Sequence, residues 1–410
     1  MTQSKAKLLG IEAKYAGVQA TYWVAVLAFS GFMTVYLSFK GFNDTQIGLT
    51  AALISFLTIS FQLFISNFSD AHHQVPIRKI VAGLYVLGIL LGAILWQVPL
   101  AIPLMMICYA TAGGFENSIC GLLNAQVMQY SNAGIPVKYG WPRGVGSIVY
   151  AFFALLLGAL AEQHSPAILM PIFLSASLVA ILMVLQMPDV RNLSSQWAPF
   201  HVQEKHQEQS SYREMIAGSP IFLVFLIASV ALYTGVSPSM LFLVRVVQGL
   251  GGSNRELGIA MFLQASIEMP MMFLSPWLMR RFKPEQILSF SFASYLIKSL
   301  FLVFAHSIGI LYTAMAMNIF CFGLYGFASV YFVNKLVKPG EKVRAQGLIT
   351  LCGSLGSIIA NLFSGVIMDT WGLKPLLVLS SAIVLISFLL MLVCLRMLQG
   401  KKPFDKARIA

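Results

Sequence analysis

Apolar residues run along this chain in blocks of about twenty, the length that crosses a hydrocarbon layer of about 30 Å. Twelve such blocks can be marked, at roughly 15–37, 45–67, 79–98, 101–130, 140–161, 165–187, 219–244, 256–280, 285–305, 308–334, 344–367 and 374–397. A lipid interior offers the backbone no hydrogen-bond partner, so each block is predicted to be a helix that satisfies its own amides. The connections are short except at Asp189 to Gly218, which is polar and divides the blocks six and six. The expected fold is therefore all-α integral membrane, with twelve transmembrane helices in two pseudo-symmetric six-helix bundles. The expected division is 1–188 for the first bundle, 189–218 for a cytoplasmic linker, 219–397 for the second bundle and 398–410 for a tail. Met1 to Lys14 is polar and shows no removable signal, so the first block is expected to be a mature span.

Composition supports a lipid environment. Hydrophobic residues make up 58% and charged residues 10%, against about 25% charged residues in a soluble domain. The net charge of +12 would suit nucleic acid if it formed a patch, but its distribution does not. With the N-terminus placed in the cytoplasm, 22 of the 27 basic residues fall on the cytoplasmic side, and only Lys40, Arg245, Arg255, Lys298 and Lys374 do not. That bias predicts cytoplasmic termini and linker, in a bacterial inner membrane, with no nucleic-acid partner. Cys108, Cys120, Cys321, Cys352 and Cys394 all lie in apolar blocks and read as packing residues. The six histidines lie in loops or at helix ends, and Gly249 to Gly252 lacks the Lys-Ser/Thr of a phosphate loop. No metal, cofactor or enzymatic site is expected.

A faint repeat links the halves. Gly146-Ser147 precedes Gly158 by the same interval that separates Gly353-Ser354 from Gly365, and small residues let helices approach closely in lipid.

The loop after the second block reads Ser66-Asn67-Phe68-Ser69-Asp70, then continues to Ile77-Arg78-Lys79. It resembles a degenerate form of the major facilitator signature, with Ser66 in place of the glycine and Ala71 in place of the basic residue. The second-half equivalent, Ser275 to Arg281, has Met279 at the aspartate position. Tyr139-Gly140-Trp141-Pro142-Arg143-Gly144-Val145-Gly146-Ser147 and the stretch Lys335 to Gly347 resemble the lactose-permease-like branch of oligosaccharide:proton symporters. The resemblance spans nearly the whole chain. It implies the major facilitator fold, gating roles for Asp70 and Arg78, and substrate contact by Arg143 with stacking by Tyr150. It also shows departures. The helix 4 acid would fall at Ala125, flanked by Asn124 and Gln126. The helix 8 carboxylate would fall at Ala265, one turn from Glu268. The branch's helix 10 histidine and carboxylate would fall on Phe322 and Tyr325.

Glu116, Glu268 and Lys298 sit well inside apolar blocks. Each costs roughly 2.5–3.5 kcal/mol on insertion scales, which marks it as functional by default. Glu268 lies twelve residues before Arg280 and Lys298 thirteen after Glu285, so at 1.5 Å per residue both lie about 18–20 Å from the same membrane face. They are expected to interact and to carry proton coupling. Glu116, Asn117, Asn124, Gln126, Arg143, Tyr150 and Gln264 are expected to bind substrate. Each has a plainer alternative: a structural salt bridge, an arginine reaching headgroups, a glutamic acid bonded to a neighbouring helix. Weaker candidates are Tyr22, Trp23, Gln62, Asn318, Tyr325 and Asn361. The expected activity is secondary active transport of a small polar solute, a sugar, nucleoside or related metabolite, with protons and membrane lipids as the other partners and a monomer as the working unit. The alternative is an efflux antiporter for drugs or metabolites.

Overall fold

A computed structural model describes residues 3–72, 74–133, 135–190, 212–338 and 341–400. These are helical throughout: α1 Gln3–Val26, α2 Met33–Phe39, α3 Asp44–Ala71, α4 Ile77–Gln97, α5 Ile102–Asn132, α6 Gly140–Gln163, α7 Leu169–Leu185, α8 Tyr212–Gly218, α9 Pro220–Leu241, α10 Leu243–Gly249, α11 Asn254–Ser266, α12 Glu268–Arg281, α13 Pro284–Val303, α14 Ile308–Ala316, α15 Phe322–Leu336, α16 Lys342–Trp371 and α17 Leu373–Gly400. Among the described residues, nine helices are long and apolar enough to cross a membrane. A tenth span results if Leu8–Gly31 and Met33–Phe39, bent by 47°, count as one. Side chains such as Phe64, at 69% exposure, and Phe304, at 70%, face outward, as expected where the surroundings are acyl chains.

Four expected spans depart from a straight apolar helix. The block at 15–37 is interrupted by a π-helical turn over Leu27–Gly31, a form found mostly where function requires a local change of register. The block at 101–130 forms one continuous helix, α5, but carries Glu116, Asn117, Asn124, Gln126 and Gln129. The block at 256–280 breaks at Ile267 into helices of 13 and 14 residues. Pro270 explains that break. Its ring collides with the carbonyl four residues back, that of Ser266, and it has no N–H to donate.

The tenth block also departs from the continuous helix expected. It runs as α14, a tight turn at Met317–Ile319, and then α15. At this break the Cys321 carbonyl accepts from Tyr325 N at 3.0 Å and also from Ser291 Oγ at 2.8 Å. A buried backbone oxygen in lipid needs such a partner.

The residues cluster into two compact units. One comprises the described residues of Met1–Glu204 with Val247–Ser266, and the other those of Lys205–Val246 with Ile267–Ala410. The first has a core of Tyr15, Val18, Tyr22, Val81, Tyr85, Leu123 and Tyr130. The second is built on Phe222, Phe225, Phe292, Tyr325 and Phe332. Small residues set the closest approaches. A Cβ on Gly158 would lie 2.5 Å from the Asn254 carbonyl oxygen, and one on Gly258 would lie 2.4 Å from that of Ala154, so α6 and α11 touch backbone to backbone. In the second unit, a Cβ on Gly356 would lie 2.7 Å from both Tyr233 and the Val230 carbonyl. The repeat is visible in a pair of aromatic contacts: Gly146 lies against Trp23, and Gly353 against Tyr233.

Candidate substrate and coupling sites

In the first unit a ladder climbs one face of α1. Tyr15, Gln19 and Trp23 are four residues apart, the spacing that stacks side chains on a helix face. Trp23 Nε1 donates to Gln19 Oε1 at 3.1 Å, and Gln19 Nε2 donates to Tyr15 Oη at 2.6 Å. The ladder fixes the indole. Gly146 makes room for it on α6, since a Cβ there would sit 2.5 Å from Trp23 Cδ1.

On that indole lies Arg143, its guanidinium carbon 4.4 Å from the ring centroid. Its Nη1 donates to Ser147 Oγ at 3.0 Å, one turn along α6. Tyr150 meets the same indole edge-on at 5.8 Å, and Tyr22 at 5.2 Å. The expected pairing of Arg143 and Tyr150 on one face therefore holds as geometry, with Trp23 as the shared surface. Asn124 joins indirectly, its Oδ1 accepting from Tyr139 Oη at 3.0 Å.

The other expected contacts fall elsewhere. Glu116 is 3% exposed. Its Oε2 accepts from Ser30 Oγ at 3.4 Å, on the π-helical turn of the first span, and its Oε1 has no partner among the described residues. Asn117, beside it on α5, is half-buried. Gln126 is 4% exposed and lines a separate cavity of about 320 Å³ with Arg78, Gln129, Tyr130 and Asp189. Gln264, on α11, has its Oε1 buried without a partner among the described residues. Arg78 donates to the Met187 carbonyl at 2.6 Å and so ties the start of α4 to the chain beyond α7. The side chain of Asp70 lies outside the described residues.

In the second unit Lys298 is 3% exposed. Its Nζ donates to Asn318 Oδ1 at 2.9 Å, and Asn318 Nδ2 donates to Glu268 Oε1. The expected Glu268–Lys298 interaction thus runs through a carboxamide, which accepts from the cation and donates to the acid. Both Glu268 and Asn318 sit at helix breaks, Glu268 in the first turn of α12 and Asn318 in the Met317–Ile319 turn. A carboxylate in the first turn of a helix is favoured by the unpaired amides there. Tyr325 is buried, and its Oη donates to Ser229 Oγ at 3.2 Å.

Sequence reasoning ranked Asn318 and Trp23 low and missed Tyr15, Gln19 and Ser30. The four-residue spacing of Tyr15, Gln19 and Trp23 was a usable signal. No local signal marks Ser30.

A family model described as the MFS_1 like family matches residues 13–379. The chain belongs to the MFS_1-like family. It is an integral membrane transporter, not an enzyme. Three solved structures share the fold of this MFS_1-like chain. The nucleoside transporter NupG is 15% identical with a TM-score of 0.75, over 96% of this chain and 99% of that one. A bacterial homologue of the iron transporter ferroportin is 15% identical with a TM-score of 0.70, over 94% and 98%. A bacterial homologue of the human lysosomal transporter Spinster is 13% identical with a TM-score of 0.69, over 98% and 100%. A comparison with curated proteins found no match.

Proposed function

We propose that this MFS_1-like protein is a secondary active transporter that carries a small polar metabolite, of the size of a sugar or nucleoside, by alternating access of two six-helix bundles, with protons as the coupling ion. The twelve spans are the nine apolar helices, the bent first span, the polar α5, and α11 with α12 taken as one broken span. Transporter sites are typically built where helices are discontinuous, because freed backbone and side-chain groups gather there. The observation that carries the reading is the chain Glu268–Asn318–Lys298, with Lys298 and Asn318 buried and Glu268 half-buried, set across two such breaks. An acid held through a carboxamide to a cation can take up a proton while the cation keeps a neutral partner. Arg143, Tyr150 and Trp23 form the solute-facing cluster of the first bundle, as the likeness to the lactose-permease-like branch suggests, and the structure of a nucleoside transporter fits a solute of this size. The working unit is a monomer in a bacterial inner membrane with both termini cytoplasmic.

Proteoliposomes with an imposed pH gradient test this. Across a panel of sugars, nucleosides and organic acids, at least one labelled solute is expected to accumulate, and a protonophore is expected to abolish the accumulation. Uptake that ignores the protonophore would remove the proton. Absence of carrier-dependent uptake for every solute would remove the transport reading.

A further inference from the structure

We infer that the transported solute bears a carboxylate, which pairs with Arg143; this rests on the transport reading above and narrows it. Arg143 lies in the first turn of α6 and is half-buried, so its charge is partly withdrawn from water, at a cost unless something repays it. A guanidinium offers five N–H donors. Within the protein it bonds Ser147, meets the Tyr139 hydroxyl and stacks on Trp23, and none of the three is a carboxylate.

No carboxylate pairs with Arg143 among the described residues. Two acids of the first unit have partners other than Arg143. Glu12 is 5% exposed and accepts from Lys138 N at 2.8 Å and Trp141 Nε1 at 2.7 Å, one bond to each oxygen. Glu116 is buried against Ser30. On α5, Asn124 and Ala125 are neutral, so α5 supplies no counter-charge at these positions. The result is a stacked, oriented cation whose partners among the described residues are neutral.

A neutral hydroxyl compound would leave that charge uncompensated on binding, and desolvating an unpaired cation is expensive. A carboxylate matches the planar fork with two parallel charge-assisted bonds. One guanidinium balances one negative charge, which favours a monocarboxylate. Tyr22, Trp23 and Tyr150 would line the rest of the contact with ring edges and faces.

Full-length protein in nanodiscs tests the inference with matched acid and amide pairs: benzoate and benzamide, nicotinate and nicotinamide, lactate and lactamide, with glucose and uridine as neutral controls. Trp23 lies directly beneath the guanidinium, so its fluorescence is the readout, assigned by its loss in Trp23→Phe. At least one acid is expected to bind saturably and at least about tenfold more tightly than its amide, the margin of a charged hydrogen bond. Arg143→Lys should retain weakened acid binding, and Arg143→Gln should lose it while eluting and melting as a folded monomer. Ser147→Ala, which removes a neutral partner only, should keep the acid preference. The inference is overturned if an amide or a neutral control binds as tightly as every acid, if no acid binds, or if folded Arg143→Gln binds acids unchanged. Proteoliposomes that accumulate only neutral solutes would overturn it and leave the transport reading intact. Acid binding without uptake of any solute would do the reverse.

Discussion

Lys298→Met is expected to destabilise the second unit by about 3–5 kcal/mol, the usual result of removing one partner from a buried charged set. Lys298 is 3% exposed and holds Asn318, which in turn holds Glu268. Without the ammonium, the carboxamide oxygen loses its donor and the acid loses the charge that balances it. The double variant Glu268→Gln/Lys298→Met should recover most of the loss, because two neutral side chains of similar size remove both charges together. Thermal unfolding in detergent of the two single variants and the double variant checks this. A double variant no more stable than the sum of its parts would show that the three residues do not act as a unit.

Gly158→Val is the second large effect. The position faces backbone, with the Asn254 carbonyl 2.5 Å and the Gly258 Cα 2.9 Å from a modest Cβ. Neither can swing aside as a side-chain end could. Overpacking of this kind costs typically 1–3 kcal/mol and displaces the partner. The neighbouring bond from Asn254 N to Glu162 Oε2, 3.0 Å long, should break with it. Spin labels on α6 and α11 are expected to report a longer separation in Gly158→Val, with transport much reduced. Gly218→Val, at a position where a Cβ would meet nothing within 4 Å, should leave the separation unchanged. An unaltered distance in Gly158→Val would mean that these two helices are not held by their small residues.

Much of this was legible in the sequence, for a definite reason. A membrane span needs only an apolar stretch of sufficient length, a property of the segment itself. The depth of Glu268 and Lys298 followed from counting residues. What was missed depends on partners distant in sequence or on backbone irregularity. Asn318 looked like one polar residue among several, and its importance arises because α12 and α13 present an acid and a cation on either side of it. The Met317–Ile319 turn has no proline to announce it. Pro270 accounts for the break at Ile267, since its ring excludes a straight helix past Ser266, whereas the apolar length of the 256–280 block by itself predicts a single span. Glu116 was placed correctly within α5, but its partner Ser30 sits on a π-helical turn, and an added residue in a turn leaves no mark on hydropathy. Arg143 shows both sides. Its spacing to Tyr150 could be read directly, whereas the indole between them came from α1 and could not.

Simultaneous recording of proton and solute flux in proteoliposomes bearing Glu268→Gln addresses the role of this acid most directly. The variant is expected to exchange solute across the membrane at equal concentrations on both sides, while an imposed pH gradient no longer drives accumulation and no proton accompanies the solute. If Glu268→Gln still concentrates solute with protons entering alongside it as in the unaltered protein, the coupling does not pass through the Glu268–Asn318–Lys298 chain.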